Sequence, residues 1–491
     1  MRRPLSTILV ALALVGLAAS AVLGAGFQIP EQGSASMALG MGYIGRADDL
    51  SAMYHNPAGL TQLQGHNFYL TLAGISPKAS YTRKSAVATG DSVTSNGTRF
   101  PYYGVAPAGA ATYGKEDGKD DLIPVPAFAW GTRLTGNLEK FAVGFGVNAP
   151  YGLRSEWDEN GSQRYMSTNI SLTTIYAGPS VAWQATPRIS VGAGIQYVYG
   201  KAELGQHANY GGALLGLAAA NAQIAAGLPA LMGALGVTTT AALNENVALD
   251  GVVEVTDATD QGYSANLGVL CKVNDQLQIG VTYRKGIDLD VEGDVSLTVP
   301  AAVTQATGGM MQSLKTKGST TVSLPDVFGV GVSYRPMDKV ALLGDFNWNR
   351  WSCYENIDFG FAANDESAAV AAYFPDTANP RDWEDAFAVR LGAEYQLKET
   401  QALRLGYLFD QEPIPDESIG PELPTNDRNG ITLGYGITLG KATVDLAYCH
   451  LFIKDRSATK SMRSNALPGS VPVGDYTGSA NIGGITLSYH L

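Results

Sequence analysis

The stretch that sets the fold is GFQIPEQGSASMALGMGYIGRADDLSAMYHNPAGLTQL, which covers residues 26–63. It is rich in Gly, Ala and Ser and shows almost no strand pattern. The chain after it follows a different rhythm, in which extended segments alternate with turns and loops. We therefore expect residues 66–491 to form a wall, and residues 26–65 to form a hatch that plugs this wall.

The wall is predicted from residues that alternate in character along extended segments. In residues 389–397 the odd positions are apolar or aromatic and the even positions are mostly polar. Fourteen such strands can be placed between His66 and His490, and their connections are short and long in turn. This layout is typical of bacterial outer-membrane barrels. The sequence therefore predicts an all-β fold, a 14-stranded antiparallel transmembrane β-barrel with an N-terminal hatch and partly helical external loops.

The composition favours the same class of protein. Charged residues make up 16% of the chain, below the roughly one quarter usual in soluble domains, while Tyr is abundant at 24 residues. Low charge and many tyrosines suit a membrane barrel with aromatic girdles. The net charge of −12 argues against a nucleic-acid partner. Because no apolar run long enough for a membrane-spanning helix follows residue 25, a spanning role requires a barrel.

Residues 1–25 are predicted to be a signal peptide. Arg2 and Arg3 give a positive start, residues 8–17 form an apolar core, and Gly24 and Ala25 offer small residues for cleavage. An uncleaved anchor helix is the alternative. Export combined with a barrel predicts a location in the bacterial outer membrane.

Residues that could carry catalysis or bind a metal are not grouped in the sequence. Cys271, Cys353 and Cys449 are far apart, and one bridge from Cys449 to either of the others is left open. The five histidines lack metal-ligand spacing, and no Ser/His/Asp grouping stands out. The alternating acidic residues within 288–294 are interpreted as a solvated face rather than a cation site. We therefore expect no enzyme activity, no cofactor and no metal.

Short motifs occur in an ordered series along the chain. They are GFQ at 26–28, HNPAGL at 55–60, PYGL at 150–153, LPD at 324–326 and DWED at 382–385. Because these motifs occur in this order and spacing, the chain resembles the FadL-type outer-membrane transporters of long-chain fatty acids and aromatic hydrocarbons. The resemblance covers essentially all of the chain after the predicted signal peptide.

The resemblance implies a transport route as well as a fold. Substrate would be caught by hydrophobic external loops, enter the barrel and leave sideways at a kinked third strand, without an energy source. The implied hatch and gate residues are Asn56, Pro57, Ala58, Gly144, Gly146, Asn148 and Pro150. We expect the Asn-Pro-Ala motif to lie inside the barrel against residues 144–150. An ordinary Asn-Pro turn and ordinary glycine-rich packing are the alternatives.

Apolar external loops offer candidate capture residues. Residues 211–237 are rich in Ala, Leu and Gly and predict an amphipathic helical hairpin around Pro229, with residues 300–314 as its partner loop. An outward apolar patch usually marks a binding site, although loop–loop packing is the alternative. The predicted ligand-binding residues of these loops and of the hatch start are Leu214, Leu217, Leu228, Met232, Met310, Met311 and Phe27.

A cation in an apolar interior would bind the carboxylate of a fatty acid by a charge-assisted hydrogen bond. Lys201, near the end of the fifth strand, falls where the resemblance implies such a residue, and Arg390 and Arg284 are weaker candidates. A solvated lysine at the base of a loop is the alternative.

Passive import of hydrophobic molecules is the function that these observations favour. A general porin needs an open, charged lumen, which the hatch argues against, and a surface adhesin on a barrel anchor is a further alternative. The predicted partners are long-chain fatty acids or aromatic hydrocarbons, together with outer-membrane lipid and lipopolysaccharide. The protein is expected to be a monomer.

Overall fold

The computed structural model describes residues 26–95, 98–106, 112–119, 121–361, 379–462 and 471–491. Fourteen antiparallel strands close into one barrel, because β1 pairs with β2 on one side and with β14 on the other. The predicted fold is confirmed. The strands are β1 (His66–Lys84), β2 (Thr112–Asp117 and Ile123–Arg133), β3 (Phe141–Asn148 and Gly152–Glu156), β4 (Asn169–Gln184), β5 (Ile189–Asn209), β6 (Asp250–Lys272), β7 (Leu277–Arg284 and Ile287–Thr298), β8 (Leu314–Leu324 and Val327–Met337), β9 (Val340–Asn349), β10 (Ala386–Lys398), β11 (Gln401–Asp410), β12 (Arg428–Leu439), β13 (Ala442–Ala458) and β14 (Gly474–His490).

The two faces of the wall differ as the alternation predicts. On β11 the side chains of Leu403 and Leu405 are exposed, whereas Arg404 between them is buried in ion pairs with Glu394 and Asp445. Exposed apolar rows of this kind recur on many strands and form the lipid-facing surface. Closure of the sheet pairs strand edges that would otherwise leave backbone groups unbonded in lipid.

Several strands reach further outward than the alternation indicates. The strand predicted to start at residue 262 begins at Asp250, and its partner β5 continues to Asn209. The outer segments lack a lipid-facing side, so the period-two pattern that marks a half-buried strand fades there. β7 and β8 are both interrupted at one height, where Asp326 Oδ1 accepts a hydrogen bond from Gly286 N at 2.8 Å.

The hatch lies inside the barrel and is built from short elements. These are α1 (Ser34–Ala38), α2 (Ala52–His55) and a 3₁₀ helix (Pro57–Gln62). Asn56 begins the 3₁₀ helix, because its Oδ1 accepts a hydrogen bond from Ala58 N at 3.2 Å. Helices this short are not stable alone, so contacts with the wall must hold them.

Glycines on the inner face of the wall let the hatch backbone come close. A Cβ added to Gly406 on β11 would lie 2.1 Å from Gly40 N, and one added to Gly280 on β7 would lie 2.1 Å from Ile44 O. A larger residue at either position would push the hatch away. Part of the high glycine content therefore reflects the fit between hatch and wall.

A helical cap stands on the outer ends of β5 to β8. It contains α3 (Tyr210–Ala220), α4 (Ala222–Leu235) and α5 (Ala301–Ala306). The predicted hairpin is present, but its corner is at Asn221 and not at Pro229, which lies inside α4. The reason is capping, since Asn221 Oδ1 accepts hydrogen bonds from the backbone N atoms of the first residues of α4.

Smaller elements complete the described chain. They are strands at Ala86–Ser95, Thr98–Val105, Asn356–Ile357, Gly360–Phe361, Asn379–Pro380 and Lys460–Ser461, and 3₁₀ helices at Gly136–Leu138, Thr240–Leu243, Val247–Leu249 and Trp351–Cys353. In the ranges given above, no helix is both long and apolar enough to cross a bilayer. All three cysteines are unpaired thiols, which removes the bridge left open by the sequence. The predicted signal peptide lies outside the described residues.

Candidate functional site

A column of buried apolar residues in the barrel interior joins the loops over the mouth, the wall and the hatch. Its residues are buried, come from many strands and from the loops over the mouth, and form one contact cluster. We call it the interior column; it includes Phe27, Ile29, Tyr151, Tyr176, Val198, Leu289, Trp351, Trp383, Ile414, Ile419 and Leu423. A water-filled diffusion channel has a polar lumen instead.

Phe27 stands at the lower end of this column, in a group of aromatic rings. Its ring centroid lies 4.7 Å from that of Trp351, 5.6 Å from that of Trp383 and 5.7 Å from that of Tyr354. The contacts are edge-on or tilted, as aromatic pairs prefer. Phe27, a predicted ligand-binding residue, is thus a buried part of the interior.

Below the aromatic group, a cavity lies between the hatch and strands β7 to β10. Its volume is about 40 Å³, well below that of small-molecule sites, so a ligand head group would enter only by displacing lining side chains. Its lining combines apolar hatch and wall side chains with a few strong hydrogen-bond donors. The lining residues are Gln28, Pro30, Met41, Ile44, Tyr54, His55, Thr282, Arg284, Val327, Asn347, Ala388 and Arg390.

The two arginines of this cavity differ in their partners. Arg390 Nη1 lies 2.5 Å from Asp410 Oδ1, so its charge is neutralised. Arg284 donates to the carbonyl oxygen of Tyr54 at 2.6 Å and stacks on the Tyr54 ring, and it forms no ion pair with any described carboxylate. His55 adds no charge, since burial first and then the two arginines lower its pKa to about 3. Arg284 is therefore the cation that an anionic ligand would find.

Lys201 does not reach the interior, which corrects the sequence-based expectation. Positions of β5 with even numbers, such as Val198, face inward, and Lys201 shares the outward face with Ile195 and Tyr197. Its Nζ is paired with Glu203 at 2.8 Å and with Asp257 at 2.9 Å. The alternation of β5 places Lys201 on the outward face. The weaker candidates Arg284 and Arg390 are the cations that line the interior cavity.

The predicted capture residues meet in one cluster in the helical cap. We call this the external apolar cluster; it combines residues of α3, α4 and α5 with the outer ends of β6 and β7. Leu214, Leu228 and Met311 are buried in it, and Met232 packs against it. Leu217 and Met310 are 36% and 57% exposed, so these two present apolar surface to the outside.

The wall is interrupted between β2 and β3. Their ladder ends at the pair Phe128 and Val147. The outer segment of β3 forms a ladder with β4, and Lys119 N, between the two segments of β2, donates to Glu156 O at 2.8 Å at its far end. Proline has no N–H to donate, and Pro124, Pro126 and Pro150 lie along the two edges beyond that pair. The kink predicted at the third strand is therefore present.

The start of the hatch occupies this interruption. Ile29 N donates to Pro150 O at 2.7 Å, and Gly152 N donates to Phe27 O at 2.9 Å. The side chain of Gln32 donates to Ala149 O at 3.0 Å. Hatch backbone thus takes the place that β2 would hold in an unbroken sheet.

Asn56-Pro57-Ala58 lies inside the barrel as expected, but the expectation that it lies against β3 is wrong, because it contacts β5 and β6. Asn56 Nδ2 donates to Val269 O on β6 at 3.0 Å, and a Cβ on Gly192 of β5 would lie 2.4 Å from Ala58 N. The 3₁₀ helix leads into β1, and Thr61 is tied to Ser190 at 2.8 Å, which holds the motif near the short-turn end.

Other hatch residues face the predicted gate positions. A Cβ on Gly144 would lie 3.0 Å from Met53 Sδ, and one on Gly146 would lie 3.4 Å from Met53 Cε. Asn148 ends the inner segment of β3, just before Pro150. The hatch therefore meets this strand through Met53 and through the segment from Phe27 to Gln32.

The fold and interior together define a barrel transport protein with an internal hatch. The chain belongs to the family described as outer membrane protein transport protein (OMPP1/FadL/TodX), whose model matches residues 15–491. It is accordingly an outer-membrane transport channel and not an enzyme.

Individual relatives agree over nearly the full length. The long-chain fatty acid transport protein of Escherichia coli is 24% identical over 457 residues, which covers 91% of this chain and 90% of that protein. The crystal structure of a Pseudomonas aeruginosa FadL homologue superposes with a TM-score of 0.73 at 18% identity, covering 95% of this chain and 99% of that one. The Pseudomonas putida toluene transporter TodX gives a TM-score of 0.62 at 15% identity, with coverages of 95% and 99%. At these identities the structural likeness establishes the fold.

Proposed function

We propose that this protein carries long-chain fatty acids, or closely related anionic amphiphiles, passively across the outer membrane. The observation that carries the proposal is the interior column, which leads to a cavity where Arg284 has no carboxylate partner among the described residues. An acyl chain suits the column, and a carboxylate suits the guanidinium. The relative named as a long-chain fatty acid transport protein supports the same substrate class.

Capture begins at the external apolar cluster. Leu217 and Met310 present apolar surface there, and exposed apolar surface on a loop favours binding of an acyl chain. The buried members, such as Leu214 and Leu228, hold the helices together beneath it.

Release takes place sideways, through the interruption between β2 and β3. A substrate that leaves there enters the membrane without displacing the whole hatch. The hydrogen bonds of Phe27, Ile29 and Gln32 with the kink must open, which are three bonds to backbone carbonyl oxygens, and the ring contacts of Phe27 must loosen with them. Backbone and amide hydrogen bonds contribute only about 1 kcal/mol each, so local opening costs little.

Transport of aromatic hydrocarbons is the second candidate. It is favoured by the ring cluster around Phe27, which would accept a small aromatic molecule as readily as an acyl chain. The filled apolar interior disfavours a general porin.

Uptake by cells that lack their own transporter tests the proposal. Cells with this protein should take up labelled long-chain fatty acid faster than cells without it, and Arg284→Gln should reduce the gain by about tenfold, as expected for a lost hydrogen bond to a charged group. Lys201→Gln is the matched control and should leave uptake unchanged. Faster uptake of toluene alone would favour the second candidate, and faster uptake of a small sugar alone would contradict both.

A further inference from the structure

A row of polar side chains runs up the inner face of β9. Asp345, Asn347 and Asn349 occupy alternate positions, which all point into the barrel, and the buried Trp351 begins the 3₁₀ helix that follows the strand. Alternate residues of a strand are about 7 Å apart, so the row spans the distance between the hatch and the aromatic group. Asp345 is fixed at the lower end, where its Oδ2 accepts a hydrogen bond from Ile44 N at 2.7 Å.

The upper members of this row are buried without hydrogen-bond partners. Asn349 is 1% exposed, and neither its amide nitrogen nor its amide oxygen is bonded to any residue that the structure describes. The indole N–H groups of Trp351 and Trp383 are also buried, and neither is hydrogen-bonded to any residue that the structure describes. Their ring centroids are 5.0 Å apart. Buried polar groups are nearly always paired, so three unpaired groups near the outer ends of β9 and β10 call for an explanation.

The neighbouring strands offer these groups nothing to bond. Asn349 is flanked by Val327 on β8 and by Ala386 on β10, and Asn347 is flanked by Gly329 and Ala388. All four neighbours are small or apolar. The side chains of Asn347 and Asn349 therefore have no hydrogen-bonding side chain directly beside them on either neighbouring strand.

Trp157 is a buried tryptophan whose indole N–H is hydrogen-bonded within the protein, as expected for a purely structural role. Trp157 is also in the interior cluster, but its Nε1 donates to Ser155 Oγ at 2.8 Å and to Pro421 O at 3.0 Å. The indoles of Trp351 and Trp383 lack such acceptors among the described residues, and both rings contact Phe27 in the path of the interior column.

We propose that Asn347, Asn349, Trp351 and Trp383 form a track that binds the hydrogen-bond-accepting head of an amphiphilic substrate on its way to the cavity at Arg284. This inference rests on the transport function proposed above. A carboxylate can accept several hydrogen bonds and finds donors at the two indoles and the Asn349 amide, one step above the cavity that Asn347 and Arg284 line. The acyl chain stays in the apolar column beside the track. An alkane has no acceptor and gains nothing from the track.

Paired substrates test the selectivity that follows. Asn349→Leu keeps the volume of the side chain but removes the amide, and it should lower uptake of a fatty acid about tenfold relative to the alkane of the same chain length. Trp351→Phe should act in the same direction, whereas the matched control Trp157→Phe should not change the ratio. Equal losses for the acid and the alkane would overturn the track and assign these residues a structural role.

A spectroscopic measurement on the unmodified protein keeps the test independent of folding defects. The chain has six tryptophans, and ¹⁵N-labelled indole groups give one N–H signal each. Addition of fatty acid in detergent should shift two of them downfield, and Trp351→Phe and Trp383→Phe identify which two. The alkane should shift neither. Absence of these shifts at a fatty-acid concentration that saturates binding would overturn the track while leaving the transport function intact, whereas failure of the wild-type protein to take up any hydrophobic substrate would refute the transport function itself.

Discussion

The hatch is held very differently on two sides of the barrel. Against β10 it is held by an ion pair in which Arg46 of the hatch lies 3.0 Å from Glu394. Glu394 is in turn held within the wall by Arg404, which lies 2.7 Å from Glu394 and 2.5 Å from Asp445. Against β3 it is held by backbone contacts at the kink and by the thioether of Met53. The difference indicates which side can open.

The physical reason lies in what replaces each contact when it breaks. A carboxylate or guanidinium that loses its partner inside the barrel is left as an uncompensated buried charge, which costs several kcal/mol. A backbone N–H at the kink can exchange one carbonyl for another, and the prolines on both edges prevent β2 and β3 from zipping together in its place. The ion-paired side is thus the fixed seat of the hatch, and the β3 side is its movable edge.

Removal of the central carboxylate of the seat should have the largest effect. Glu394→Gln removes the carboxylate that Arg46 and Arg404 share and leaves them only Asp48 and Asp445, so the free energy of unfolding should fall by about 3–4 kcal/mol. Urea titration of the purified barrel measures this loss. Asp257→Asn, which breaks an exposed ion pair with Lys201, is the control and should leave the free energy of unfolding almost unchanged. Equal losses for the two variants would abolish the distinction between seat and edge.

The stability of the folded protein should depend on pH through Glu31, a buried residue of the hatch. Burial is the main cause that raises its pKa from 4.5 to about 7; Asp410 raises it further, while Arg428 and Arg390 oppose the shift. Because the pKa is raised in the folded state, the folded protein keeps its proton longer, and stability present below pH 4.5 is lost as the pH rises through about 7. The loss should approach about 3 kcal/mol by pH 8. Glu31→Gln should remove this dependence, and identical pH profiles for both proteins would contradict it.

A substitution at the glycine contacts should have a smaller effect. A side chain at Gly406 meets Gly40 N at 2.1 Å, so Gly406→Val should cost about 1–3 kcal/mol and displace the hatch. Ion conductance in planar bilayers should rise as a result. Gly483→Val is the matched control, because a Cβ there meets no atom within 4 Å. A rise in conductance for Gly483→Val of the same size would show that the hatch contact is not the cause.

The sequence predicted the wall far better than the contents of the barrel. β1 occupies residues 66–84 as predicted, because lipid on one side and an interior on the other enforce a strict alternation. The inward row of β9 could also be predicted, since Asp345, Asn347 and Asn349 alternate with Phe346 and Trp348. Its lack of hydrogen-bond partners could not, because this depends on which residues β8 and β10 place beside it.

The errors have equally specific causes. The alternation of β5, with Tyr197 and Tyr199 on the same face as Lys201, predicts that Lys201 points outward, whereas the family resemblance implies an inward cation there. The place of Asn56 could not be predicted in this way. Which strands a hatch touches is decided by how the barrel closes around it, and nothing in the local sequence of the hatch records that.

A disulfide across the interruption tests the movable edge most directly. Ala127 and Asn148 are one register step beyond the last β2–β3 pair, within the usual reach of a disulfide between adjacent strands, so Ala127→Cys with Asn148→Cys should join the two edges on oxidation. The same pair of substitutions at Ala393 and Leu405, which are already paired between β10 and β11, is the control. We predict that oxidation stops fatty-acid uptake by the first protein, that reduction restores it, and that the control is unaffected. Full uptake by the oxidised, demonstrably cross-linked first protein would contradict release through this side of the barrel.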